Sequence, residues 1–423
     1  MRFLLAFTGT RGDIQPAVVV ATELLRRGHD VVCGVPPNLV DFAAAAGVDA
    51  RPFGHDTRAH MNSDLVREGL RRGGPRERWR ALSEIRNAGW NRAVADMSAL
   101  AREAQVIVTG WVSEQIATAH ADALAVPCVS LHHAPVRPNR SVLPVPGVPP
   151  ALPAPAVAAG WWLTETAMWA LTRSRQNALR RALAAPGPAT RAPRTAVEVQ
   201  VYDPILCPDL CEEWAPRVAR PFTGFLAPDP ADRARLGDGG IDAGLRDWLE
   251  AGDPPVYVGF GSMPVPDAAS TVAAVAAACD RLGVRALVGG GWHALDVGAH
   301  PRLRAIGPAD HAQVFPRCRA VVHHGGAGTT AAALRAGVPS VICWLGSDQP
   351  FWGRRCVDLG VGASLPLKGL TADALTEALR VALEPGTAAR AAALSGRLVP
   401  PGAAVAACAD AVEDSPSRVG VRR

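Results

Sequence analysis

The chain predicts an α/β protein with two doubly wound, mainly parallel sheets, and three observations carry that expectation. Short apolar runs alternate with helical patterns from the second residue onward. The rhythm breaks in a proline-rich middle and then restarts. At 423 residues the chain is also too long for one ordinary core and suits two domains of roughly 200 residues each. Tandem βαβ units place ligands at the carboxyl ends of their strands. The expected order is an N-terminal Rossmann-like domain over 1–215, a linker over 216–240, a second Rossmann-like domain over 241–400, and a C-terminal helix and tail over 401–423. The two sheets are expected to face each other across a cleft.

The elements follow in order. Arg2–Thr8 has the character of a fully buried strand. Pro16–Arg27 carries Val19, Val20 and Leu24 at helical spacing and stops at Gly28. Asp30–Val35, Gln105–Thr109 and Pro127–Leu131 read as strands. Pro135 to Pro155 holds eight prolines and reads as a long surface loop. Trp161–Ala184 then reads as an amphipathic helix bearing Trp161, Trp162 and Trp169. After the irregular stretch Pro216–Gly240, strand signals return at Pro255–Phe260, Arg285–Val288, Arg302–Ile306, Arg319–His323 and Pro339–Cys343. Gly402–Val412 is the last apolar helix.

Composition narrows the function classes. Hydrophobic content of 48% with 20% charged residues is that of a soluble globular protein. The net charge of +5 comes without a Lys/Arg block, so no nucleic-acid partner is indicated. The single lysine, Lys368, and the wealth of Ala, Gly and Pro reflect coding bias more than function. The nine cysteines are scattered, with only Cys207 and Cys211 close together, which fits a reduced cytoplasmic compartment. The N-terminus leads straight into a strand, unlike a signal peptide. No apolar run reaches the roughly 18 residues needed for a transmembrane span.

The richest local signal is Ala320-Val-Val-His-His-Gly-Gly-Ala-Gly-Thr-Thr330, where a strand runs into a glycine turn that opens a helix at Ala331–Ala336. Backbone N–H groups at a helix start suit a diphosphate, and the helix end adds about half a positive charge. His324 can supply a side-chain donor and Thr329 a hydroxyl. A tight strand–helix turn with a buried histidine is the other reading of the same residues. Downstream, Asp348-Gln349 stands at the far end of the next strand, where a carboxylate and an amide can bind adjacent sugar hydroxyls. Asp348 could instead cap the helix containing Trp352 and Arg355.

The segment from Asp310-His311 through the His324 turn to Asp348-Gln349-Pro350 resembles the donor-binding signature of family 1 nucleotide-sugar glycosyltransferases. In that signature a glutamine follows the phosphate-binding histidine by 25 positions, the spacing of His324 and Gln349. The resemblance implies a GT-B fold, with His324, Gly326, Ala327, Gly328 and Thr329 on the pyrophosphate and Asp348 and Gln349 on the sugar. Val256-Tyr-Val-Gly-Phe-Gly-Ser-Met263 resembles the first strand and loop of the donor domain, which puts Gly261 and Ser262 beside the phosphates. Two departures leave uridine or thymidine open. Ala332 stands where many plant members carry a ribose-binding glutamate, and Ile306 lies near their base-stacking tryptophan. Trp292 could serve the nucleobase or simply the core.

Thr8-Gly-Thr-Arg-Gly-Asp-Ile-Gln-Pro16 resembles the first turn of bacterial antibiotic, sterol and mycobacterial glycolipid glycosyltransferases, and the likeness extends to Arg27-Gly-His-Asp-Val31 and Glu198-Val-Gln-Val-Tyr-Asp203. It is not a dinucleotide fingerprint, since only Gly9 and Gly12 are present and the second strand ends in Pro36-Pro37. A Gly-Lys-Ser/Thr phosphate loop is absent as well. Inverting transfer needs a base for the acceptor's proton. Plant relatives place a histidine in this turn, whereas this chain offers Asp13, which a helix N-terminus would keep ionised. Asp13 as a plain helix N-cap is the competing reading.

No Asp-x-Asp signature is present, so neither a metal nor a further cofactor is expected beside the nucleotide-sugar co-substrate. The implied partner is a hydrophobic small molecule, an antibiotic-type aglycone or a lipid; a lipid acceptor would allow peripheral membrane contact. Ala134-Pro-Val-Arg-Pro-Asn139 is similar to the mycobacterial and related actinobacterial group. Acceptor contacts are expected from Asn38–His60, Trp111, Val112–Glu114, the tryptophan-bearing helix, and His132 and His133. A sugar-nucleotide epimerase of the same fold, or a non-catalytic nucleotide-sugar-binding protein, are the alternatives.

Overall fold

The computed structural model describes residues 1–61, 89–143, 152–215, 220–237, 239–263, 265, 267–291 and 295–419. The chain divides into two compact units, Met1–Leu236 with Val399–Arg423, and Gly237–Leu398.

The first unit is built on β1 (Arg2–Ala6), β2 (Asp30–Val35), β3 (Asp49–Pro52), β4 (Val106–Gly110), β5 (Cys128–His132) and β6 (Val197–Gln200). They form one parallel sheet in the order β3-β2-β1-β4-β5-β6. Strands β4 and β5 are buried at every position, as unbroken apolar runs require when helices cover both faces of a sheet. Strand β3, Asp-Ala-Arg-Pro, falls inside the stretch 38–60 expected as loop. It lies at the sheet edge, and its charged residues and terminal proline give no strand pattern to read.

Helix α1 (Arg11–Arg26) begins five residues before the expected Pro16, because Thr10 and Asp13 form a capping box that starts it inside the turn. Helix α2 (Glu114–Leu124) follows β4. Helix α3 (Ala154–Ala182) begins seven residues before the expected Trp161, with Pro155 in its first turn, where a missing N–H costs nothing. A short helix, Pro230–Arg235, lies within the stretch read as linker and is held to α1 by Arg26, which donates to Asp229 at 2.8 Å and Asp232 at 2.7 Å. The C-terminal helix Pro401–Glu413 returns to this unit. Its Ala404, Cys408, Ala409 and Val412 join the core around Phe3 and Leu5, and Arg27 donates to Asp410 at 2.6 Å.

The second unit carries β7 (Val256–Gly259), β8 (Ala286–Gly289), β9 (Leu303–Ile306), β10 (Ala320–His323), β11 (Ser340–Trp344) and β12 (Gly362–Pro366), parallel in the order β12-β11-β10-β7-β8-β9. Helix α4 (Ala327–Arg335) follows β10, and α5 (Gln349–Asp358) follows β11. Strand β12 adds a sixth strand to the five expected. A Cβ on its Gly362 would stand 1.9 Å from the Ser340 carbonyl oxygen, so the glycine that obscures the strand in sequence is what lets it pair.

In both sheets the strand order reverses once, between β1 and β4 and between β7 and β10. Doubly wound sheets open a crevice at such a switch point. The segments that follow these four strands carry Asp13, in the first turn of α1, and Trp111, Ser262 and His324.

Candidate active site

The switch point of the second unit is assembled from glycines with different jobs. Gly325 has φ +88°, and a Cβ there would stand 2.6 Å from Ile342 Cγ2, so only glycine fits. Gly326 is the N-cap of α4, and the first helical bond of the turn is Thr330 N–H donating to Gly326 O at 2.9 Å. The N–H groups of Ala327, Gly328 and Thr329 precede that bond and have no acceptor within the helix. A Cβ added at Gly328 would meet nothing within 4 Å, so there is open space beside this first turn. Free N–H groups at a helix start are the geometry in which backbone can receive an anion.

His324 closes one side of it. A Cβ on Gly326 would stand 2.6 Å from His324 Nε2, and one on Gly261 3.1 Å from Cε1, so both glycines make room for the imidazole. Gly261 is pinned in turn by Gly291, whose added Cβ would stand 2.1 Å from its carbonyl oxygen. Burial lowers the His324 pKa to about 4, and its Nδ1 is buried without a hydrogen-bond partner. The ring is therefore neutral near pH 7, with one nitrogen a donor and the other an acceptor. The structure thus gathers Gly261, Ser262, His324, Gly326, Ala327, Gly328 and Thr329 at one strand-end crevice.

Gln349 borders the same turn, since a Cβ on Gly325 would stand 3.2 Å from Gln349 Cβ. Its Oε1 accepts from Leu345 N–H at 2.7 Å and from Gly346 N–H at 3.3 Å, so what it can offer a ligand is its Nε2 donors. Asp348 stands at the start of α5 without a side-chain cap bond; its Oδ2 accepts from Trp352 Nε1 at 2.8 Å. Ser347, just before it, holds φ +57°, a strained conformation for a residue with a side chain. Ile306, at the end of β9, is half-buried against the cluster of Leu245, Tyr257 and Phe315. Trp292 lies outside the described residues.

In the first unit Thr10 is the N-cap of α1 and Asp13 the third helical residue. Thr10 N–H donates to Asp13 Oδ2 at 2.8 Å and Thr10 Oγ1 to the same oxygen at 3.3 Å. The carboxylate lies over the turn, where a Cβ on Gly9 would come within 2.3 Å of it. Burial raises the Asp13 pKa and the Thr10 hydrogen bonds oppose it, with burial the stronger. That direction runs against the helix-terminus expectation and moves the group towards the range useful to a base.

Thr109 Oγ1 donates to Ala6 O at 2.9 Å, and the Ala6–Thr109 register sets the loop after β4 beside the turn after β1. Trp111, 53% exposed, and Val112 begin that loop. His132 is placed differently. It is fully buried, accepts at Nδ1 from Gln200 Nε2 at 3.3 Å, and holds Nε2 3.9 Å from Glu114 Oε2. Burial lowers its pKa. His133 is half-buried beside it.

His132 borders a buried ion network that sequence reasoning missed. Arg137 donates to Glu198 at 2.7 Å and pairs with Glu114, while Arg220 donates to Glu198 at 2.6 Å. Burial, the largest single influence, would raise both carboxyl groups, but Arg137 and His132, with Arg220 and Arg194 at Glu198, together hold them low. Asn139 Nδ2 donates to Arg137 O at 2.9 Å, and Trp161 Nε1 to Val142 O at 2.7 Å. The beginning of the Pro135–Pro155 stretch, expected as a surface loop, is thereby tied into the unit, with Arg137 and Asn139 buried. Thr8 Oγ1, a buried hydroxyl at the α1 turn without a hydrogen-bond partner, also carried no sequence signal. Among the described residues no three His, Cys, Asp or Glu side chains gather as a metal-ligand set.

Residues 3–128 match the glycosyltransferase family 28 N-terminal domain, and residues 296–399 the erythromycin biosynthesis protein CIII-like C-terminal domain. An uncharacterized glycosyltransferase of Mycobacterium tuberculosis is 37% identical over 425 residues, spanning 99% of this chain and 100% of its own. The vancomycin aglycone glucosyltransferase of Amycolatopsis orientalis is 33% identical over 420 residues, 96% of each chain. The chain belongs to the family 1 glycosyltransferases. A sterol 3-beta-glucosyltransferase of Arabidopsis thaliana is 30% identical over 401 residues, 91% of this chain and 61% of that one.

Solved structures agree on the architecture of this glycosyltransferase. The kitacinnamycin glycosyltransferase aligns over 98% of this chain and 99% of its own at TM-score 0.71 and 18% identity. The calicheamicin glycosyltransferase CalG4 aligns over 99% and 98% at TM-score 0.67 and 17% identity. The fold is GT-B.

Proposed function

We propose that this glycosyltransferase moves glucose or a related hexose or deoxyhexose from a UDP- or TDP-sugar to a hydroxyl of a hydrophobic small molecule, with inversion and without a metal. The observation that carries the reading is the α4 turn. Three N–H groups without helical acceptors open a helix that has free space at Gly328 and a neutral imidazole beside its N-cap, a donor set suited to a leaving diphosphate. Solved structures of VinC with DTDP and of the spinosyn rhamnosyltransferase SpnG with thymidine diphosphate support a nucleoside diphosphate as the leaving group. The vancomycin aglycone and sterol glucosyltransferases support an apolar acceptor, aglycone or lipid.

In this reading the acceptor oxygen attacks the anomeric carbon as the bond to the diphosphate oxygen breaks. Asp13 takes the hydroxyl proton, a role worth about 10²–10⁴-fold in rate. The N–H groups of Ala327, Gly328 and Thr329, with His324, receive the charge that develops on the diphosphate. Asp348 and the Nε2 of Gln349 hold sugar hydroxyls, and Trp111 offers an apolar surface to the acceptor. Incubation in EDTA with UDP-glucose or TDP-glucose and a panel of flat, apolar alcohols tests the proposal. A product heavier by one hexose, with inverted anomeric configuration by NMR, is the expected result. Nucleotide release without acceptor product, or an epimerised donor, overturns it.

A further inference from the structure

We infer that the N-terminal half of α3 docks this protein on an anionic membrane surface. Helix α3 runs for 29 residues, about 43 Å, yet in its first half only Val157 and Trp161 are buried. Ala156, Ala159, Leu163, Ala167 and Ala170 recur at three- and four-residue spacing and are all exposed, forming a stripe opposite that buried face. Leu163 is 60% exposed, and Trp162 at 65% and Leu171 at 51% flank the stripe on either side. Large exposed apolar side chains gathered on one helix mark an interaction surface.

Charge identifies it. From Ala154 to Leu171 the one charged residue is Glu165, which is paired with Arg194. The following two turns and the helix end bring Arg173, Arg175, Arg180 and Arg181. Arg175 lies 3.8 Å over the Trp90 ring and Arg180 pairs with Asp122, whereas Arg173 and Arg181 are exposed. Arg181 continues the line of the apolar stripe through Ser174 and Ala178, both exposed. An apolar stripe edged by tryptophan and ending in arginine matches the interface of a bilayer with anionic headgroups. The helix lies on such a surface and does not cross it, since no helix among the described residues is long and apolar enough to span. The inference is independent of which acceptor is used.

Flotation with vesicles of phosphatidylcholine alone, and of phosphatidylcholine mixed with phosphatidylglycerol, tests it. The wild type should partition onto the mixed vesicles and much less onto the zwitterionic ones. Leu163→Glu should weaken partitioning by about tenfold or more, through loss of a buried leucine. Arg181→Ala should weaken it by about fivefold, the share of one arginine at an anionic surface. Unchanged melting temperatures confirm that the variants fold, because every altered residue is exposed. No flotation of wild type, or equal flotation of wild type and Leu163→Glu, overturns the assignment. Self-association abolished by Leu163→Glu, without flotation, also overturns it and makes a second copy the occupant.

Discussion

Gly328 separates the requirements of the fold from those of the ligand. It is the second residue of α4, its backbone is not left-handed, and an added Cβ meets nothing within 4 Å. Gly328→Ala should therefore leave the fold intact and stabilise the second unit by about 0.4–1 kcal/mol, through reduced freedom of the unfolded chain. For a unit of this size that is a rise of roughly 1–4 °C in melting temperature. The same methyl group projects into the space proposed for the diphosphate. Losing one charge-assisted hydrogen bond costs about 1.5–3 kcal/mol, so UDP or TDP binding should weaken by about tenfold to a hundredfold. Gly325→Ala is the contrasting control. Its φ of +88° and the 2.6 Å approach to Ile342 should cost the fold itself. Isothermal titration with UDP and TDP, paired with calorimetric melting, reads both quantities. Undiminished nucleotide binding by a stabilised Gly328→Ala would refute the placement of the anion at this helix start.

Other consequences follow from the same structure. His324 has an ordinary pKa of 6.5 when unfolded and about 4 in the folded protein, so between those values the unfolded state binds more protons and stability falls as pH falls. The loss reaches roughly 3 kcal/mol at most, and melting curves of His324→Gln should lack that component. Arg137→Met leaves Glu114 and Glu198 buried without their shared partner and should destabilise the first unit by about 3–5 kcal/mol in denaturant melts. Asp348→Asn keeps an oxygen for Trp352 Nε1 while losing its negative charge. It should lower kcat/KM by about tenfold or more and leave UDP affinity unchanged in titration.

Periodic burial was legible in the sequence, and irregular burial was not. Asp30–Val35 was read to the residue, and the central strands within one or two positions, because strands covered on both faces write themselves as unbroken apolar runs. Strands β3, β6 and β12, all at sheet edges, were missed because edge pairing tolerates charge, glycine and proline. The strand–turn–helix junction at His324 was legible because glycine and small residues cluster there in sequence. The Glu114–Arg137–Glu198 network was not, since its members are separated in sequence and meet only when β5 and β6 pair. Burial of Arg137 and Asn139 likewise depends on tertiary contacts that the proline-rich composition conceals.

The most direct test of the account compares Asp13→Asn with wild type in a mass-resolved transfer assay in EDTA. Asparagine keeps an oxygen to accept the Thr10 N–H that Asp13 now holds at 2.8 Å, so the cap survives and only the proton acceptor is lost. The account predicts an unchanged melting temperature, unchanged UDP affinity and transfer slower by about 10²–10⁴-fold. An Asp13→Asn enzyme that transfers within a few-fold of wild type would contradict it and leave Asp13 as the capping partner of Thr10.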